Sequence, residues 1–181
     1  MLMRSSLLLT SFATWLPHQK SNTSDDLLAL AAQHPAFSPT WQMLRQLPVD
    51  SQGAIDQVLD MLERLQPAGI LCCGMAEMRT QMEVEVQAVC GDRSLRTSVN
   101  VADWVNSLSA TGMSDDAGQF VCNDLYYGVL AYIRDRQLPI AGLFVHIPLL
   151  TPENTPAILS DFLTICRAID RQIPPTQPIE N

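Results

Sequence analysis

The chain of 181 residues lacks most of the features that mark specialised protein classes. It has no apolar run long enough to span a bilayer, which excludes a membrane-crossing helix. Lys and Arg number 11 against 19 Asp and Glu, the net charge is −8, and the cations form no cluster. Such a surface repels phosphate backbones and anionic lipid, so neither nucleic acid nor membrane is an expected partner. No C-x-x-C pair occurs and Cys72-Cys73 has no nearby His, so no metal site is expected. No G-x-G-x-x-G and no P-loop follows a predicted strand, which argues against a dinucleotide-binding domain. The five cysteines, Cys72, Cys73, Cys90, Cys122 and Cys166, are odd in number and irregularly spaced. That pattern does not fit a disulfide framework and does fit reduced thiols and a cytoplasmic home.

Hydrophobic residues at 47% and charged residues at 17% suffice for a packed core and are too apolar for a disordered chain. The length suggests one domain over residues 1–173, followed by a loose tail, 174–181, that holds three prolines. The start, Met1–Trp15, resembles a signal peptide in having Arg4 before an apolar run, Leu7–Leu9. The run is broken by Thr10, Ser11 and Thr14, and the small-residue segment Ala29-Leu30-Ala31 lies beyond a polar stretch. A buried first strand explains the segment better.

Periodicity predicts strands at Ser6–Phe12, Trp41–Val49, Gly69–Cys73, Met82–Val89 and Ile140–Ile147. Helices are predicted at Asp25–Gln33, with Thr23 or Ser24 as cap, and around Ile55–Leu65, with Asp50 or Ser51 as cap. Further helices are predicted at Val101–Leu108, Cys122–Arg136 and Pro152–Ile173. Alternation of strands and helices favours an α/β fold, a sheet covered on both faces. Sites in such sheets lie beyond the carboxyl ends of the strands, where His146 and the loop at Gly74 fall.

Cys122 stands at a predicted helix start. Exposed N–H groups and the helix dipole there favour thiolate and can stabilise an oxyanion. A cysteine in an apolar stretch also fits an inert core thiol. His146 ends a buried strand, which suits either a catalytic base or a structural histidine. Glu85 lies on the polar face of Met82–Val89 with Glu83 and Gln87. It is either a solvated carboxylate or the third group that fixes the tautomer of His146.

The segment from Asp116-Ala117-Gly118-Gln119-Phe120-Val121-Cys122 to Asn123-Asp124-Leu125-Tyr126-Tyr127 resembles the nucleophile motif of pyroglutamyl peptidase I, a family of cysteine peptidases. Gly142-Leu143-Phe144-Val145-His146-Ile147-Pro148 to Glu153 is similar to its histidine motif, and Gly74 to Arg79 through Glu85 and Ala88 to its glutamate motif. Leu8-Leu9-Thr10-Ser11-Phe12 resembles its first strand and substrate loop. The resemblance implies a three-layer α/β/α sandwich with a mixed, mostly parallel sheet. It implies a Cys122-His146-Glu85 triad that removes N-terminal pyroglutamyl residues from small peptides, without metal or cofactor. Phe12, Trp15, Met75, Phe120 and Val121 match positions that line the family pocket. The chain departs from the family at Met75, where a pocket glutamine is expected, at Glu77 and Met78 in place of glycines, and at Val86 and Cys90. The connection Gly91–Asn100 is shortened, and Arg93 or Arg96 stands in for an arginine near the oxyanion. These departures cluster around acyl recognition. They leave open a related cysteine amidase of different acyl specificity or a catalytically inactive binding protein on the same fold. A homo-oligomer is allowed.

Overall fold

The continuous apolar runs of the sequence become the centre of one sheet, as burial on both faces requires. The computed structural model describes residues 6–171. Its strands are β1 (Leu7–Phe12), β2 (Trp41–Leu47), β3 (Gly69–Met75), β4 (Met82–Glu85), β5 (Gln87–Cys90), β6 (Arg93–Arg96), β7 (Thr111–Ser114) and β8 (Ala141–Ile147). Among the described residues the helices are α1 (Thr23–Ala32), α2 (Ser51–Leu65), α3 (Ala102–Val105), α4 (Val121–Asp135) and α5 (Thr155–Arg171). The main sheet has the order β2-β1-β3-β8-β4-β7. Strands β2, β1, β3 and β8 run parallel, β4 runs antiparallel to β8, and β7 is parallel to β4. Strands β5 and β6 form a separate antiparallel hairpin.

Alternation along the strands divides the core. Leu7, Leu9, Leu71, Leu143 and Val145 pack with Leu27 and Leu28 of α1 and with Phe162 and Ile165 of α5. Leu8, Ile70, Cys72 and Phe144 face the other way, onto Val58 and Leu62 of α2 and Leu125 and Val129 of α4. The result is a three-layer α/β/α arrangement with a mixed, mostly parallel sheet. Each fully buried aliphatic side chain contributes about 1.5–3 kcal/mol to it. Because Phe144 and His146 share a face, the imidazole points to the α2/α4 side.

Local differences from the expectation have identifiable causes. Helix α1 is capped by Asn22, whose side chain accepts the Ser24 N–H. Thr23 and Ser24 are used inside the first turn instead: the Thr23 hydroxyl donates to the Ile147 carbonyl, and the Ser24 hydroxyl oxygen accepts the Phe12 N–H. Helix α2 does start at Asp50, whose carboxylate accepts the Gly53 N–H at 2.7 Å. The single strand expected over Met82–Val89 breaks at Val86. There the N–H donates to Ser114 in the main sheet, while the carbonyl accepts from Thr97 beside the hairpin. The connection Gly91–Asn100 contains β6, reached through a two-residue turn with Gly91 at φ 61°. The helix expected over 101–108 contracts to Ala102–Val105, and α5 enters at Thr155 after a turn in which Thr151 and Asn154 exchange hydrogen bonds. Residues 172–173 of the expected last helix, and the tail 174–181, lie outside the described residues. No described helix is long and apolar enough to cross a membrane.

Candidate active site

Cys122 is the second residue of α4, and Phe120, its N-cap, makes no side-chain capping bond. The first N–H groups of the helix are therefore available to an anion. The thiol lies against the sheet at Gly74: a Cβ added there would be 2.6 Å from Cys122 Sγ and 2.9 Å from the Phe144 ring. Gly74 pairs with His146 across β3 and β8, so the sulfur is seated beside the strand position of the imidazole. Only a residue without a side chain permits this approach.

His146 is buried on the same face, its ring 4.9 Å from that of Phe144. Its Nδ1 lies 2.6 Å from Glu85 Oε1, which leaves Nε2 as the nitrogen free to exchange a proton elsewhere. Glu85 has no exposed surface, so the polar face of β4 is turned inward here. The antiparallel pairing of Glu83 with His146 and Glu85 with Phe144 brings the acid alongside the histidine. Arg79, in the turn after β3, lies 2.8 Å from the same Glu85 oxygen and also pairs with Glu83. Tyr126 of α4 donates its hydroxyl to the Glu85 carbonyl at 2.9 Å, and burial pushes its phenol up.

The helix start does not by itself make Cys122 a thiolate. The residue is half-buried, enough for a small reagent to reach it. The atoms packed around the sulfur push its thiol up to about 12; burial acts first, then Cys72 and Glu85, against Arg79. Cys72, Cys73 and Cys166 are buried, and Cys90 is exposed.

The remaining predicted residues fall around the finishing ends of β1 and β3 and the start of α4. Phe12 ends β1 and is buried in the core with α2. Trp15 lies exposed in the following loop, its N–H donated to Gln19. Met75 ends β3, and its sulfur accepts the Thr23 N–H at 3.4 Å. Phe120 exposes its ring at the start of α4, with Val121 half-buried after it. Arg96 donates to Gln87 and lines a cleft of about 630 Å³ at the opposite pole, where β3 and β8 begin. Arg93 is at the far end of the β5–β6 hairpin, whose Val89 exchanges two backbone hydrogen bonds with the Asn123 side chain, next to Cys122. Among the described residues no group of three or more His, Cys, Asp or Glu is placed to hold a metal ion.

Sequence reasoning gave Arg79 no role. Its position six residues before Glu85 is readable, but the contact depends on the turn at Ala76–Arg79, closed by the Arg79 N–H on the Ala76 carbonyl.

A family model described as pyroglutamyl peptidase matches residues 97–160, which include Cys122 and His146. A pyrrolidone-carboxylate peptidase of Brachyspira hyodysenteriae is 24% identical over 81% of this chain and 89% of its own length. One from Cupriavidus taiwanensis is 32% identical over 61% of this chain and 63% of its own. The crystal structure of pyroglutamyl peptidase I from Bacillus amyloliquefaciens superposes with a TM-score of 0.77 at 21% identity, covering 92% of this chain and 97% of that one. At that identity the structural likeness carries the fold.

Proposed function

We propose that the chain is a member of the pyroglutamyl peptidase family, which the family-model match over residues 97–160 and the likeness to the two curated peptidases support, and that it removes N-terminal pyroglutamyl residues from small peptides, with Cys122 as nucleophile. One observation carries this reading: the Cys122 sulfur lies over Gly74, beside the strand position of an imidazole whose far nitrogen is held by a buried carboxylate.

His146 Nε2 takes the thiol proton, and the resulting imidazolium is stabilised by Glu85. Transfer within the pair overcomes the high resistance of the thiol to ionisation alone. The thiolate attacks the pyroglutamyl carbonyl, and the oxyanion is met by the N–H of Cys122 at the uncapped start of α4. Collapse breaks the C–N bond as His146 returns its proton to the leaving amine. Water, deprotonated by the same imidazole, then hydrolyses the thioester. Of Arg93 and Arg96, the second is turned to the opposite pole, so Arg93 is the one assigned to support the oxyanion. Phe12, Trp15, Met75, Phe120 and Val121 are assigned to the acyl pocket. The five unpaired cysteines suit a cytoplasmic enzyme.

A second reading, an amidase of different acyl specificity, is favoured by Met75. Its sulfur is engaged by α1 and offers the acyl group no amide anchor. Both readings meet in one assay. Wild-type protein is expected to release a fluorophore from a pyroglutamyl amide, and Cys122→Ala to lose at least about 10⁴-fold of that rate. Release from other acyl amides alone would select the second reading. Retained activity in Cys122→Ala would remove both.

A further inference from the structure

We propose that Arg79 is a positioning residue of this site, whose single guanidinium fixes both the acid behind His146 and the loop that delivers Cys122. The inference builds on the assignment of Cys122, His146 and Glu85 made above.

The guanidinium reaches two separate segments. Nη1 is 2.8 Å from Glu85 Oε1 and also meets Glu83. Nη2 donates to the Asp116 carbonyl at 2.7 Å. Asp116 opens the loop before α4: its carboxylate accepts the Gly118 N–H at 3.0 Å, Gly118 turns the chain at φ 81°, and the helix begins at Val121. A displacement at Asp116 is therefore passed within six residues to the nucleophile. The turn that presents Arg79 is itself anchored. Ala76 N–H donates to the Ile147 carbonyl at 2.8 Å, and Glu77 accepts from Gln19 at 2.7 Å and pairs with His18. Arg79 thus refers both the acid and the nucleophile to the end of β8, the strand that holds the histidine.

Charge supports the same role. Glu85 is faced by His146 from β8, by Arg79, by Glu83 on its own strand, and by Cys122 and Tyr126 from α4. Of these groups Arg79 alone carries a fixed positive charge. A carboxylate with no exposed surface needs such a partner, and a neutral imidazole does not supply it. Among the described residues Glu85 Oε2 is buried without a hydrogen-bond partner, so compensation is concentrated on the oxygen that Arg79 and His146 share. The planar fork of arginine serves the two segments together, and a lysine ammonium does not reproduce it.

The test compares Arg79→Gln and Arg79→Lys with the parent in a Cys90→Ser background, since Cys90 is the exposed competing thiol. Turnover of a pyroglutamyl amide and the rate of Cys122 alkylation by iodoacetamide are both measured. Arg79→Gln is expected to lower kcat about 10²-fold with KM within about threefold, and to slow alkylation about tenfold. Added guanidinium at non-denaturing concentration is expected to restore about tenfold in kcat, and ammonium to restore none. A loss under about threefold, or one that guanidinium leaves unchanged, overturns the proposal. If Arg79→Gln does not fold, Arg79→Lys decides: a loss of about tenfold supports the role, and activity within about twofold of the parent overturns it. Alkylation requires no substrate. A parent that ignores pyroglutamyl amides, yet loses alkylation in Arg79→Gln, removes the substrate assignment and leaves the positioning role standing.

Discussion

Asp25 and Glu85 are both buried carboxylates with an arginine at hand, and they use it differently. Asp25 accepts from the Ser11 hydroxyl at 2.7 Å, from Arg45 Nε and Nη2 at 2.7 and 2.8 Å, and from Gln46 at 3.0 Å. Burial pushes its carboxyl up, but the bonds from Arg45, Ser11 and Gln46 outweigh that and hold it below the usual range. Both oxygens are occupied, and the cluster ties α1 to β1 and β2. Glu85 gathers Arg79 and His146 on one oxygen and leaves the other without a partner. Full satisfaction makes a rigid structural joint. Partial satisfaction leaves a carboxylate whose hydrogen bonds are to an arginine and to an imidazole, the arrangement that the proposed function calls for.

The largest test of this contrast is Glu85→Ala. It is expected to lower kcat by about 10³-fold or more, read against active-site concentration, because His146 loses both its orientation and its counter-charge. A rate within tenfold of wild type would place Glu85 with the structural acids. Asp25→Ala should do the reverse: urea unfolding is expected to show a loss of about 3 kcal/mol, from leaving Arg45 and its neighbours without their anion, while kcat stays within about threefold. The pH dependence has a definite sign. A carboxyl lower in the folded than in the unfolded state stabilises fully above the unfolded value of about 3.9, and that contribution disappears as pH falls through the folded value. Below about pH 4 the wild type should therefore lose stability faster than Asp25→Ala. Gly74→Ala leaves both acid–arginine pairs in place. The new methyl, 2.6 Å from Cys122 Sγ, must displace the sulfur. About tenfold is expected to be lost in kcat, at about 1–2 kcal/mol in stability. Unchanged kinetics would mean that the seat of the thiol is not where the chemistry occurs.

The sequence made the interior of the sheet plain, because β1 opens on an apolar run, β3 and β8 are short apolar runs bounded by Gly or Pro, and α2 and α4 repeat at helical spacing. It did not reveal β7: Thr111-Gly112-Met113-Ser114 is a half-exposed edge of four residues with a glycine and no alternation. The hairpin of β5 and β6 left a signal in Gly91-Asp92, a two-residue turn with glycine first; most of β5 lay within the strand expected over Met82–Val89, but β6, Arg93-Ser94-Leu95-Arg96, is too polar to stand out. Cys122, His146 and Glu85 were nameable from their motifs. The burial of Glu85 was not, since alternation told which side it faced and not what covered that side. Nor was the burial that pushes the Cys122 thiol up, with Cys72 and Glu85 adding to it. Arg79 was visible in the glutamate motif without a role, because its contacts, at Glu85 and Asp116, arise from a turn and a loop brought together by tertiary folding.

The antiparallel course of β4 has a lasting consequence for how such a site can vary. The histidine and its acid sit two rungs apart on one ladder in mid-sheet, so their backbones can separate only if the sheet itself parts. The sulfur arrives from another direction, at the tip of a helix reached through the exposed stretch Asp115–Gln119. Re-aiming that stretch would move the Cys122 sulfur and, through the bond from Arg79 to the Asp116 carbonyl, would be felt at Glu85 as well.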